Sequence, residues 1–196
     1  MIYFVLHGFN SATPNETSDF FEENFPKDTV VHLNYNFNPE IGVKELEDTI
    51  NSVIIESMGY EATDYEYTFV GCSLGGFMAQ YLAMRFGGKA IAINPAIVPY
   101  EDLTRFLGIN TNYKTGEKFE LTMDDVKNYA PLAIKPGTVP TLILLDMGDE
   151  LLNSAHTVNH FSGKAEIHTF EGGCHRFSHM AESLESIEKF ANTLTV

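Results

Sequence analysis

Ser73 is the residue whose type and surroundings most directly indicate chemistry in this chain. It lies in Gly71-Cys72-Ser73-Leu74-Gly75, which has the G-x-S-x-G spacing of a nucleophilic serine carried on a tight turn. Side chains at Gly71 and Gly75 would collide with the neighbouring strand and helix, so the turn requires glycine there. The same spacing also arises by chance in glycine-rich turns and phosphate-binding loops. The pattern favours a serine nucleophile but needs support from the rest of the chain.

The residues on either side of Ser73 predict the strand and the helix that such a turn requires. Residues 67–70 are a β-branched and aromatic run, which indicates a buried strand. Residues 77–86 are mostly good helix formers and are followed by Gly87-Gly88. This order places the Ser73 hydroxyl at the start of a helix, where free N–H groups and the helix dipole favour negative charge.

A serine hydroxyl is a weak nucleophile, so it needs a base within hydrogen-bond reach and a third group that orients the base. In α/β-hydrolases these groups follow the chain order Ser, acid, His. Asp149 follows one predicted strand, and His175 follows the next, beside the flexible pair Gly172-Gly173. We therefore predict a catalytic triad of Ser73, Asp149 and His175.

Other acids and histidines remain candidates for the second and third positions. Asp146 lies at the end of the strand that precedes Asp149, and Glu150 is adjacent to Asp149. Any of these carboxylates could instead be a solvated surface charge. His179 lies just beyond the predicted loop. The remaining histidines lie within predicted strands or helices, and they are His32, His156, His160 and His168.

A second turn could supply the electrostatic part of the site. Residues 2–6 are continuously apolar, as expected for a central parallel strand, and they end in His7-Gly8-Phe9. A His-Gly turn after an early strand presents a backbone N–H to the oxyanion of an acyl substrate. We predict that the backbone N–H groups of Phe9 and Leu74 form this oxyanion hole. His7 is interpreted as a structural residue that braces the turn.

The remaining segments alternate between predicted strands and helices. Strands are predicted at 29–33, 89–93, 141–145 and 165–170. Helices are predicted at 15–26, at 43–54, after Leu152 through His156 and Phe161, and at 184–194 with Leu194 on the apolar face. About six strands alternating with helices predict an α/β fold with a mostly parallel sheet and helices on both faces. Length and composition suit a single domain over residues 1–196.

Residues 98–138 interrupt this alternation and are predicted to be an insertion before the acid-bearing strand. They contain a possible helix at 100–107, a loop at 110–116 and a capping box at 122–125 that starts a second short helix. The insertion could cover the active site or could be a surface excursion. Loop aromatic residues could line a substrate pocket or simply pack, and they are Tyr35, Phe37, Tyr100, Tyr113 and Phe119.

Composition excludes several classes of partner. The formal net charge of -15 argues against nonspecific binding to nucleic acid or to anionic membranes. No apolar run approaches the roughly 18 residues of a membrane span. The first residues lack a basic leader, and Cys72 and Cys174 are the only cysteines, so we expect a reducing, cytoplasmic location without disulfides. Both cysteines are interpreted as packing residues, with redox inhibition as the alternative.

Several motifs together resemble the small YqiA-type bacterial esterases of the α/β-hydrolase superfamily. The resemblance runs nearly end to end and rests on residues 6–11, 71–76, 94–96, 115–117, 148–152 and 171–177. It implies a compact α/β-hydrolase lacking the superfamily's first two strands, with carboxylesterase activity and no cofactor. It also assigns Ser73, Asp149 and His175 as the triad. Family members more often have Ser or Asn where this chain has Cys72 and Cys174.

We therefore expect a serine carboxylesterase that hydrolyses small acyl esters through an acyl-enzyme intermediate, without a metal or cofactor. A thioesterase or amidase that uses the same triad is an alternative, because the residues do not distinguish these acyl donors. A ligand-binding protein that keeps the fold without turnover is an alternative of another class. Fold is transferred by resemblance more safely than substrate.

Overall fold

The computed structural model describes residues 1–58 and 66–193. Its strands are β1 Ile2–Leu6, β2 Thr29–Leu33, β3 Tyr67–Cys72, β4 Lys89–Ile93, β5 Gly108–Thr111, β6 Lys118–Leu121, β7 Thr141–Asp146 and β8 Glu166–Phe170. Its helices are α1 Glu16–Asn24, α2 Pro39–Met58, α3 Leu74–Phe86, α4 Pro99–Asp102, α5 Met123–Lys127, α6 Ser154–Phe161 and α7 Leu184–Ala191. Leu194, which the sequence assigns to the last helix, lies outside the described residues.

The main sheet is six-stranded and parallel, with the order β2-β1-β3-β4-β7-β8. This confirms the predicted α/β fold. The chain moves from β1 outward to β2 and then returns to add β3 on the other side of β1. The loops that follow β1 and β3 therefore diverge at this point, which is where parallel sheets leave a crevice at the carboxyl ends of their strands.

Helices cover both faces of the sheet because its central strands are mostly apolar and buried on both sides. In β1, Phe4 and Leu6 join the core beneath α2 and α3, whereas Tyr3 and Val5 join the core beneath α1 and α7. Five consecutive buried residues in β1 match the continuous apolar run expected of a strand covered on both sides. Helix α6 packs through Phe161 against strands β4 and β7.

The insertion at residues 98–138 contains more regular structure than the sequence indicates. The predicted loop at 110–116 is wrong in part, because β5 and β6 pair as an antiparallel hairpin and only its tip is a turn. In β5 the one large apolar residue, Ile109, is exposed, and the alternation of Lys-Phe-Glu-Leu in β6 covers four residues only, so the sequence signal for these strands is weak. The predicted helix at 100–107 is divided into α4 and a 3₁₀ turn at Leu103–Phe106.

The capping box that begins α5 is present as predicted. The backbone N–H of Asp125 donates to the Thr122 hydroxyl at 3.2 Å, and the Asp125 carboxylate accepts the Thr122 N–H at 2.8 Å. In the part of the chain that the structure describes, no helix combines the length and the apolar character needed to cross a membrane.

Candidate active site

Ser73 occupies a sharp turn between β3 and α3. Its backbone has φ +57° and ψ −122°, a left-handed conformation that a residue with a side chain adopts only when its surroundings hold it there. The Ser73 N–H donates to the carbonyl of Ile93 at 2.9 Å, and the Ser73 carbonyl accepts the Ala96 N–H at 3.1 Å. The end of β4 therefore fixes the strained turn from both sides of Ser73.

The glycines of the G-x-S-x-G segment allow close backbone approach, as the sequence predicts. A Cβ atom on Gly71 would collide with the backbone of Gly75. A Cβ atom on Gly75 would lie 2.7 Å from the carbonyl oxygen of His7, which is below any normal contact. The turn is thus packed directly against the loop that follows β1.

The structure brings His175 and Asp149 together from the loops after β8 and β7. Nδ1 of His175 lies 2.8 Å from Oδ2 of Asp149, with the imidazole 15% exposed and the carboxylate 1% exposed. The other oxygen of Asp149 accepts the N–H groups of Leu151 at 2.8 Å and Leu152 at 2.9 Å. Both oxygens of this carboxylate are therefore held, which fixes its orientation toward the imidazole.

The environment of Asp149 favours its charged form. Burial raises the pKa of this carboxyl, but the hydrogen bond from His175 and those from the Leu152 and Leu151 N–H groups oppose burial and lower the pKa below its ordinary value. Asp149 is thus an ionised acceptor that is suited to orient an imidazole and to stabilise its cation.

The rival acids have other partners. Glu150 accepts the backbone N–H of His175 at 2.9 Å, and Asp146 accepts Nδ1–H of His179 at 2.6 Å. Asp146, Asp149 and Glu150 lie within five consecutive positions, so the sequence favoured Asp149 but could not exclude the other two carboxylates.

The rival histidines lie elsewhere. His32 contacts Glu22, His168 contacts Glu166 on β8, and His156 and His160 belong to α6. Of the histidines in the described residues, His175 is the one that both contacts a buried carboxylate and lines the cavity containing Ser73.

Ser73 and His175 face a shared cavity of about 510 Å³. Within residues 1–58 and 66–193 no hydrogen bond joins the Ser73 hydroxyl to the His175 imidazole. Such a bond is often long in a free enzyme and shortens when substrate binds, so its absence does not exclude the pair. The geometry places a candidate nucleophile and a candidate base at one opening.

The two residues predicted to form the oxyanion hole line the same cavity. Gly8, Phe9, Ser73 and Leu74 all line it. Leu74 is the first residue of α3, so its N–H has no acceptor within the helix. Across the described ranges, the N–H of Phe9 likewise donates to no acceptor. Two unpaired donors beside Ser73 are the arrangement that stabilises a developing oxyanion.

His7 braces the loop after β1, in agreement with its predicted structural role. The Tyr35 N–H donates to Nε2 of His7 at 3.3 Å, so the proton of the neutral ring is on Nδ1, which donates to the Gly8 carbonyl at 2.9 Å. The Tyr35 ring stacks on the imidazole at 4.3 Å and its hydroxyl donates to the His7 carbonyl at 2.8 Å. Burial lowers the pKa of His7 to about 4.

The insertion forms one wall of the cavity and is docked on the loop after β1. The Tyr113 N–H donates to the Asn10 carbonyl at 3.0 Å, and the Asn112 side chain donates to the Ser11 carbonyl at 2.8 Å. Tyr113 also lies beneath the Arg176 guanidinium at 5.6 Å, next to His175.

Of the five loop aromatic residues named from sequence, Tyr113 alone lines this cavity, and the other four pack in the core. Sequence reasoning missed the lining residues Leu103, Arg105 and Phe106, because nothing in their local pattern distinguishes them from surface residues.

The two cysteines flank the site without forming a disulfide. Cys72 donates weakly to the His175 carbonyl at 3.6 Å, and burial raises the pKa of its thiol to about 12. A thiol with so high a pKa forms little thiolate, which favours the packing interpretation for Cys72. Among the described residues, no cluster of three or more His, Cys, Asp or Glu side chains is arranged to hold a metal ion.

Comparisons with known proteins extend over nearly the whole chain. The model of a family described as "Uncharacterised protein family (UPF0227)" matches residues 1–192. A UPF0227 protein of Vibrio parahaemolyticus is 22% identical over 189 residues, which are 96% of this chain and 98% of that protein. The UPF0227 protein YcfP of Escherichia coli is 23% identical over 193 residues, covering 94% of this chain and 96% of YcfP.

Solved structures with the α/β-hydrolase fold are also similar. Est1E from Butyrivibrio proteoclasticus, solved with bound ferulic acid, superposes with a TM-score of 0.67 at 17% identity, covering 96% of this chain and 87% of Est1E. Mouse alpha/beta hydrolase domain-containing protein 10 has a TM-score of 0.67 at 16% identity, covering 99% and 90% of the two chains. At these identities the likeness establishes the fold.

The close packing of the serine turn predicts that Gly71→Ala is strongly destabilising. The added methyl group would meet the Gly75 backbone, which has no room to move, so we expect a loss of about 3 kcal/mol or more in unfolding free energy. Gly163→Asn is the control, because a Cβ there meets nothing within 4 Å and its cost comes from the positive φ of Gly163, which Gly71 does not share. We expect about 1 kcal/mol for that variant in urea unfolding. Equal losses in the two variants would contradict the steric account.

The buried neutral state of His7 predicts a specific pH dependence of stability. Because folding lowers the pKa of His7 from 6.5 to about 4, its contribution is complete above pH 6.5 and is lost as pH falls toward about 4. Urea unfolding of the wild type should lose about 3 kcal/mol more than that of His7→Gln between these limits. His168→Gln, at an exposed site, should keep the wild-type slope. An unchanged slope in His7→Gln would refute this assignment.

Proposed function

Since the chain belongs to the UPF0227 family and has the α/β-hydrolase fold, we propose that it is a serine hydrolase acting on small acyl esters. Membership in this YcfP/YqiA-type family confirms the resemblance seen in the sequence. The observation that carries the proposal is the 2.8 Å contact between His175 and the buried Asp149, in a loop that lines the same cavity as Ser73.

In the proposed mechanism, Nε2 of His175 takes the proton from the Ser73 hydroxyl as the serine oxygen attacks the acyl carbonyl. Nδ1–H of His175 donates to Asp149, so the imidazolium that forms lies against an ionised carboxylate. The imidazolium then protonates the leaving alcohol. Water attacks the acyl-enzyme with His175 again acting as base, and this restores the Ser73 hydroxyl.

The oxyanion formed in each step would be held by the N–H groups of Phe9 and Leu74. Neither N–H is used by the fold, and Leu74 also begins α3, so the helix dipole adds to the stabilisation. Removing one such donor in other hydrolases typically costs about 10²–10³-fold in rate.

The cavity supports a small acyl ester as the substrate class. Its volume of about 510 Å³ lies within the range typical of small-molecule pockets. Apolar side chains from the insertion, Leu103 and Phe106, line it beside Ser73 and are suited to an acyl group. The neighbour Est1E binds ferulic acid, an aromatic carboxylic acid, on the same fold. A panel of p-nitrophenyl esters, thioesters and anilides would rank the acyl donors directly.

The first test concerns the nucleophile. We expect Ser73→Ala to abolish hydrolysis of p-nitrophenyl acetate and labelling by a fluorophosphonate probe, because the attacking oxygen is removed. The thermal unfolding curve should stay close to that of the wild type, since the hydroxyl makes no hydrogen bond among the described residues. Ser162→Ala, at an exposed serine after α6, is the matched control and should retain both activities. Retained hydrolysis in Ser73→Ala would remove Ser73 from the mechanism.

The second test concerns the acid. Asp149→Asn should lower kcat by about 10⁴-fold with a small change in KM, because an amide no longer fixes the imidazole tautomer or stabilises its cation. Asp124→Asn, on the exposed side of α5, should behave as wild type. If Asp149→Asn kept more than a tenth of the wild-type kcat, another carboxylate would have to orient His175.

A further inference from the structure

A second buried carboxylate next to the proposed triad has no part in the mechanism derived above. Asp146 ends β7, and its side chain is 0% exposed. Its Oδ2 accepts the backbone N–H groups of Cys174 at 3.0 Å and Ser178 at 2.6 Å, and its Oδ1 accepts Nδ1–H of His179 at 2.6 Å. All three donors come from the loop that carries His175.

Asn94 provides a second connection between the sheet and the same loop. Its amide donates to the carbonyls of Cys174 at 3.0 Å and His175 at 3.1 Å, and its Oδ1 accepts the N–H of Asp146 at 2.8 Å. Asn94 is 1% exposed and has φ +38° at the end of β4. Two buried side chains from neighbouring strands thus bind the backbone on both sides of His175.

The same loop is also held by Glu150, which accepts the His175 N–H at 2.9 Å, and by Phe177, which is buried in the core beneath α1 and α7. It begins with Gly172 and Gly173, at φ +72° and +73°, which leave the chain conformationally free in the absence of other constraints. Gly173 passes so close to Asp146 that a Cβ atom would overlap the carboxylate. His179 closes the far end, because its ring stacks on Phe170 of β8 at 5.1 Å and 10° while it donates to Asp146.

We propose that Asp146, together with His179, is a positioning residue for His175. The carboxylate is buried and has to be satisfied by hydrogen bonds, and all three of its side-chain contacts come from residues 174–179 in the conformation observed. The hydrogen bonds that satisfy Asp146 therefore also hold the His175 imidazole beside Ser73. This inference rests on the proposed function, since it assigns a role in placing the proposed base.

The geometry separates this role from that of a triad acid. Both Asp146 oxygens are occupied by Cys174, Ser178 and His179, whereas the His175 imidazole contacts Asp149. The two carboxylates thus differ in what they bind: Asp149 orients the ring of His175, and Asp146 fixes the backbone that carries the ring.

The experiment compares four variants with the wild type, using p-nitrophenyl acetate kinetics, fluorophosphonate labelling and thermal unfolding. Asp146→Asn replaces one acceptor oxygen with a donor, and His179→Leu removes the side-chain donor while leaving Asp146 in place. His179→Asn keeps a donor at the position of Nδ1. Glu166→Gln removes a carboxylate–histidine contact on the exposed face of β8 and is the matched control.

We expect Asp146→Asn and His179→Leu to lower kcat and the labelling rate by about 10²-fold, the loss that a displacement of about 1 Å can cause, with KM changed less than about 3-fold. His179→Asn should recover at least about a tenth of the wild-type kcat, and Glu166→Gln should match the wild type. If Asp146→Asn does not fold, the pair His179→Leu and His179→Asn decides the question, because neither alters the buried carboxylate.

Three results would overturn the inference. Wild-type kcat in Asp146→Asn or in His179→Leu would show that the contacts are not needed to place His175. An equal loss in His179→Asn and His179→Leu would show that the hydrogen bond to Asp146 has no role. Retained activity in Asp149→Asn with complete loss in Asp146→Asn would make Asp146 the acid. The Ser73→Ala variant tests the proposed function independently: if it loses activity, the proposed function is supported whatever the Asp146 and His179 variants show.

Discussion

The close approach of the serine turn to the loop after β1 is the constraint on which the rest of the site depends. Gly75 lies against the His7 carbonyl, and a Cβ atom on Gly8 would lie 3.2 Å from the Cys72 carbonyl oxygen and 3.4 Å from the Ser73 Cβ. This close approach brings Phe9 and Leu74 to the same cavity. It also requires a strained backbone at Ser73, which hydrogen bonds to the end of β4 hold in place.

The two sides of the cavity are held in different ways. The serine turn and the His7 loop are fixed by strands β1 and β3 at the centre of the sheet. His175 lies on a glycine-containing loop after the edge strand β8, and its position depends on buried polar side chains that reach it from β4 and β7. The proposed base is therefore placed largely by hydrogen bonds from buried side chains, whereas the proposed nucleophile is placed by close backbone packing together with backbone hydrogen bonds to the end of β4. Polar contacts of this kind are specific but are sensitive to single substitutions.

The insertion links these two sides. Its hairpin binds the loop after β1 through Asn112 and the Tyr113 backbone, and the Tyr113 ring contacts Arg176 beside His175. Phe9, whose N–H is a proposed oxyanion donor, packs against Phe106 and Phe119 of the insertion. This segment, for which the sequence left open a cover over the active site and a surface excursion, thus contacts both loops that carry proposed catalytic groups.

The sequence by itself determined the parallel α/β sheet, the serine turn and the capping of α5, because apolar runs, tight glycine spacing and capping residues act over a few neighbouring positions. It also placed Asp149 and His175 at strand ends, but it could not separate Asp149 from Asp146 and Glu150, which lie within four residues of one another. That choice depends on contacts between residues distant in the chain, namely the 2.8 Å contact of Asp149 with His175, 26 residues away, and that of Asp146 with His179, 33 residues away. The β5–β6 hairpin was likewise decided only by tertiary structure, since each strand has four residues and the apolar Ile109 of β5 is exposed, which leaves too short a pattern to identify.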